Sequence, residues 1–90
     1  MNTLPIDVTA FRKTDVFDRN SIPAGLLKDH NLKSGVWGVI NILKGKLVLE
    51  FLDDGKIEVL SADRPGVVPP SRMHQIRALE DVNFYVEFWK

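Results

Sequence analysis

The sequence predicts an all-β fold: one small barrel or sandwich. Three observations carry this reading. From residue 36 onward, short stretches rich in Val, Ile, Leu, Phe and Trp alternate with turn residues at sheet-like spacing. Helical periodicity is nowhere sustained. Ninety residues supply one hydrophobic core and no more, so residues 1–90 read as a single domain.

The elements follow in order. Residues 8–17 suit an extended edge strand, Ile22 and Pro23 a turn, and residues 24–30 a short strand or loop that runs into turn-prone residues 31–35. Residues 36–43 read as a buried strand, Lys44-Gly45 as a tight turn, and residues 46–52 as a second strand with Leu47, Leu49 and Phe51 on one face. Asp53-Asp54-Gly55 then predicts a type I′ hairpin, because an Asp-Gly pair tolerates the two positive φ angles that this turn needs. Residues 56–60 should pair back antiparallel. Val67 and Val68 begin a strand that Pro69 and Pro70 cut off, since proline has no N–H for a sheet ladder. Residues 73–78 resume it. The last strand, residues 82–89, carries Val82, Phe84, Val86 and Phe88 on one face and Asn83, Tyr85, Glu87 and Trp89 on the other. Both faces are partly apolar, which suits a strand lying between a barrel interior and either a covering N-terminal strand or a partner subunit; the partner subunit predicts a homodimer.

Composition excludes several function classes. Apolar residues make up 44% of the chain and charged residues 27%, which is globular rather than disordered composition. Twelve basic and twelve acidic side chains cancel without forming long runs, which argues against nucleic acid and against an anionic membrane surface as partners. With no cysteine, neither a disulfide framework nor thiolate chemistry is available. The first seven residues lack the basic flank and apolar stretch of a signal peptide, so the expected location is cytoplasmic.

Chemistry must come from few residues. His30 and His74 are the two histidines, and both fall in β or loop segments. His74 closes the run Pro69-Pro70-Ser71-Arg72-Met73-His74. This run resembles the second cupin motif, in which a proline, a small residue two positions on and a histidine three beyond it turn the histidine into the barrel. Ser71 stands where that motif has glycine. The first cupin motif is degraded: with Gly45 as its glycine, Gly38 occupies the glutamate position, and Leu32 and Ser34 fall where histidines belong.

A more specific resemblance covers the whole chain. The stretch Leu27-Lys28-Asp29-His30-Asn31-Leu32-Lys33-Ser34-Gly35-Val36-Trp37-Gly38, together with Leu43-Lys44-Gly45, the Pro69-to-His74 turn and Val86-Glu87-Phe88, resembles the TehB/YeaR-like cupin family. The family pattern has threonine where Leu32 precedes Lys33 here. The resemblance implies a cupin fold, that is, a double-stranded β-helix or jelly-roll barrel, and an association with tellurite or nitrate-related stress. It does not imply methyl transfer, for which the chain has neither a nucleotide-binding α/β unit nor a glycine-rich loop.

Two functions from different classes remain at this stage. In the first, a metal or a small molecule sits in the barrel. His30, His74 and Glu87 would be the metal ligands, a donor set that suits Zn, Ni, Mn or Fe(II), with Glu50 a weaker carboxylate and no organic cofactor expected. Lys33 and Arg72 would steer an oxyanion to the mouth, and Trp37 would line the ligand site. In the second, the domain is a non-catalytic homodimeric interaction or sensing module. Whether it is an enzyme is left open.

Overall fold

In the computed structural model, residues 2–27 and 32–90 are described. Among the described residues, eight strands run in the order β1 (Ala10–Lys13), β2 (Phe17–Asp18), β3 (Trp37–Lys44), β4 (Leu47–Phe51), β5 (Ile57–Leu60), β6 (Gly66–Val68), β7 (His74–Ala78) and β8 (Asn83–Trp89). One 3-10 turn, Ala24–Leu26, lies between β2 and β3. The strands form two sheets. The larger has the order β1-β8-β3-β6, with β2 also paired to β8, and the smaller has the order β5-β4-β7. All of these pairings are antiparallel.

The two inner faces follow from strand alternation. Ile40, Ile42, Val68, Phe84 and Val86 of the larger sheet meet Leu47, Leu49, Phe51, Leu60 and Ile76 of the smaller in one buried cluster. Leu47, Leu49, Phe51 and Phe84 are at most 1% exposed, and each stabilises the fold by roughly 1.5–3 kcal/mol through burial. This is the all-β jelly roll that the sequence predicts. The sheets face one another rather than closing into one continuously hydrogen-bonded barrel. Pro69-Pro70 interrupts the chain as expected, but residues 74–78 do not resume the same strand: β6 belongs to one sheet and β7 to the other.

Other expectations need correction. The edge segment 8–17 is two short strands, not one, and both pair with β8. Thr14 lies between them, its backbone N–H donating to the Val86 carbonyl (2.9 Å) and its Oγ1 accepting from the Val86 N–H (3.0 Å). Of the segment 24–30, expected as a short strand or loop, Ala24–Leu26 is a 3-10 turn, closed by the Leu27 N–H donating to the Ala24 carbonyl at 3.1 Å, and residues 28–30 lie outside the described residues. The β4–β5 connection is not a two-residue type I′ turn, because Gly55 (φ 73°) alone has positive φ there. Its N–H instead donates to the Phe51 carbonyl across a wider loop, and the Asp54 side chain accepts from the Lys56 N–H. Gly45 fulfils its turn role: its φ is 79°, and a Cβ there would collide with the Asp81 carbonyl. Among the described residues, no helix is long and apolar enough to cross a membrane.

Candidate functional site

Between the sheets lies a cavity of about 40 Å³. Its wall is built by alternation: Gly38 and Ile40 from β3, Val86 and Phe88 from β8, Val68 from β6, and His74 and Ile76 from β7 all point inward. Leu26, Leu32 and Thr14 complete it. Gly38 keeps the space open, since a Cβ there would sit 3.0 Å from the Leu32 side chain.

His74 is the one buried polar residue in the described core, at 4% exposure. It opens β7 opposite Phe51 of β4, with the two rings 6.5 Å apart. Its Nδ1 lies 3.0 Å from the Arg72 carbonyl. A carbonyl only accepts, so Nδ1 carries a proton. The turn that delivers His74 is anchored at several points. Ser71 adopts φ 64°, the left-handed conformation that glycine takes most easily, and its N–H donates to the Leu32 carbonyl at 3.1 Å.

Arg72 secures the other side of that turn and does not line the cavity. Its guanidinium binds both Asp53 oxygens, at 2.9 and 2.6 Å, reaches Asp54 at 3.1 Å, and lies 4.0 Å from the centre of the Phe51 ring. Arg72 hydrogen bonds hold the Asp53 carboxyl below its ordinary value, and the pairing with Asp53 raises the guanidinium in turn. The expectation that Arg72 steers an anion therefore meets a side chain already committed to two carboxylates.

The remaining described residues singled out by sequence do not converge on His74. Glu87 is on the outer face of β8, opposite in parity to Val86 and Phe88, and accepts a hydrogen bond from Asn41 Nδ2 at 2.9 Å. Glu50 accepts from Gln75 Nε2 at 2.9 Å. Trp37 is half-buried, registers against Trp89 and precedes the inward-facing Gly38, which puts it on the outer face. Lys33 is exposed. His30 lies outside the described residues.

Among the described residues, no three His, Cys, Asp or Glu side chains come close enough to hold an ion. Two positions where the first cupin motif calls for a histidine and the glutamate are Leu32 and Gly38, and both form cavity wall. Of the expected ligands, Glu87 faces away from this wall, and His30 lies outside the described residues. Sequence reasoning missed Thr14 and Leu26 as wall residues. No local signal marks them, because their role arises from how β8 and the 3-10 turn pack.

Comparison with known proteins places this geometry in context. A family model described as the TehB-like domain matches residues 12–86. Over 80 residues, covering 83% of this chain, the sequence is 28% identical to a probable S-adenosyl-L-methionine-dependent methyltransferase TehB of Haemophilus influenzae. The chain spans only 28% of that relative's length. The crystal structure of Haemophilus influenzae TehB superposes with a TM-score of 0.83 at 24% identity, over 93% of this chain and 32% of that one. A protein from E. coli K12 superposes over 100% of this chain and 97% of its own, with a TM-score of 0.89 and 23% identity. A cupin-2 domain protein from Shewanella frigidimarina aligns over 92% of this chain and 65% of its own, at TM-score 0.55 and 15% identity.

Proposed function

We propose, for a chain that belongs to the TehB-like domain family, a function as a small-ligand-binding domain that holds its ligand in the cavity beside His74. One observation supports this above others: a buried imidazole, with its proton fixed on Nδ1 by the Arg72 carbonyl, forms part of an otherwise apolar wall. Ligand sites commonly have this composition, an apolar enclosure with a few oriented polar groups. The cavity gives affinity through burial, and the imidazole gives orientation. The proposal extends to the setting implied by the resemblance, a cytoplasmic role in tellurite- or nitrate-related stress.

The test is a titration of ¹³C-methyl-labelled protein with three small probes, isopropanol, acetate and tellurite, each added separately. For at least one probe, saturable shifts are expected at the cavity methyls of Ile40, Ile76 and Val86, and not at exposed Ile57 and Val59. His74→Ala should weaken that response. Titrations in which no probe moves the cavity methyls would overturn the proposal.

A second reading is a homodimer. Val16 and Leu43 are 54% and 55% exposed and share a surface groove with Tyr85 of β8. These residues continue the apolar character of the outer face of β8, and a partner subunit would cover them. Light scattering at micromolar concentration tests it: twice the chain mass supports the dimer, and a monomer mass refutes it.

A further inference from the structure

We infer that residues 2–5 are an exchangeable arm: in a pair of chains, the arm of each copy attaches to β6 of the other. This rests on the homodimer reading and gives it a specific connection, in which each subunit contributes its own N-terminal segment to its partner.

The path of the arm follows from its two attachments. Asn2 Nδ2 donates to the Val67 carbonyl of β6 at 3.4 Å. Thr9 pairs with Lys90, just beyond β8, each N–H donating to the other's carbonyl at 3.0 and 3.1 Å. Because β3 lies between β6 and β8 in the larger sheet, residues 3–8 must cross β3, near the end where Trp37 registers against Trp89. None of residues 2–9 belongs to the buried inner cluster or to the cavity wall, so the crossing runs outside the core.

This crossing is loosely held. Among the described residues, the Asn2 bond is the one hydrogen bond that ties residues 2–8 to the sheets, and it is long. Leu4 and Pro5 are half-buried, whereas Ile6, in the turn that follows, is fully exposed. Beside the crossing, the Trp89 indole Nε1 is buried with no hydrogen-bond partner, a cost that the closed path leaves unmet. The Ile6-Asp7 turn is the hinge.

Exchange keeps what the arm already has. The surface that receives it is present in every copy, so the same residues of a second copy find the same attachments and association needs no new complementarity. Opening the turn brings the two arms past one another at the twofold axis. There the two exposed Ile6 side chains leave water together, which the closed single chain cannot achieve.

The chain has no cysteine, so a disulfide placed between the attachment points reads the connection directly. Asn2→Cys chains and Val67→Cys chains, refolded together and oxidised, should give a covalent dimer on a non-reducing gel. Asn2→Cys mixed with Ile57→Cys, an exposed position on the other sheet, should not. By light scattering, the wild type should have twice the chain mass, and a chain lacking residues 2–5, its fold checked by circular dichroism, should dimerise at least about tenfold more weakly. A truncated chain that dimerises as tightly as the wild type, or the absence of a covalent dimer from the Asn2→Cys and Val67→Cys mixture, would overturn the exchange and leave the homodimer standing. A monomeric wild type would overturn both.

Discussion

Ser71 offers the sharpest test of the local physics that delivers His74. Its φ of 64° is the one left-handed non-glycine backbone among the described residues, at the position where the resembling motif has glycine. An L-residue in that conformation costs about 1–2 kcal/mol. Replacing Ser71 with glycine removes that cost but adds about 0.5–1 kcal/mol of chain entropy to be lost on folding. The Ser71 side chain is exposed, and the backbone N–H that binds the Leu32 carbonyl is retained. Ser71→Gly should therefore stabilise the protein by about 0.5–1 kcal/mol, which for a chain of this size raises Tm by roughly 2–8 °C. Thermal unfolding followed by circular dichroism, with urea titration at 25 °C, measures it. Ser71→Ala should stay within about 0.5 kcal/mol of wild type, and Ser71→Val should lose about 1 kcal/mol, because a β-branched side chain tolerates positive φ least. A glycine variant no more stable than the alanine variant would refute the reasoning.

Three further outcomes are expected. Asp53→Asn weakens the clamp on Arg72, and its sign with pH is fixed: a carboxyl held below 3.8 in the fold contributes stability above that pH, lost as pH falls through the lowered value. The difference between wild type and Asp53→Asn in urea titrations should therefore be present at pH 7, shrink with added salt, and vanish in strong acid; a difference independent of pH would contradict the pairing. Gly45→Ala should destabilise by at least about 1–2 kcal/mol in the same assay, because it combines a left-handed φ with a collision against the Asp81 carbonyl, and a neutral result would show that the β3–β4 turn is placed differently. Purified wild-type protein should carry well under one equivalent of Zn, Ni, Mn or Fe by plasma mass spectrometry; one full equivalent, lost in both His30→Ala and His74→Ala, would reinstate a two-histidine centre.

Much of the fold was legible because burial imposes a period of two on strands. The Val82, Phe84, Val86 and Phe88 face and the Leu47, Leu49 and Phe51 face were readable from alternation alone, and Pro69-Pro70 marked a strand end, though not the change of sheet that follows it. The N-terminal segment was harder. Its strands are four and two residues long, too short for a period to show, and they are stabilised by pairing with β8 rather than by their own pattern. The Asp54-Gly55 turn was misread because local propensity favours I′, whereas Arg72 recruits Asp53 and Asp54 across the sheet and the loop opens to reach it.

The site was legible in part for a similar reason. The turn before His74 has a local signature, and the structure buries that histidine. Glu87 was ambiguous from sequence because β8 has apolar residues on both faces; register settles the matter, with Val86 and Phe88 inward and Glu87 bonded to Asn41 outside. The apolar character of the cavity comes from residues far apart in sequence, such as Leu26, Ile40 and Val86, so no single stretch announces it.

The central claim is that a small molecule occupies the cavity beside His74. A crystal structure of the protein soaked in isopropanol tests it most directly. Alcohol density is expected beside the His74 ring, enclosed by Ile40, Ile76 and Val86. A cavity left empty at saturating isopropanol, with alcohol found only on the outer surface, would contradict it.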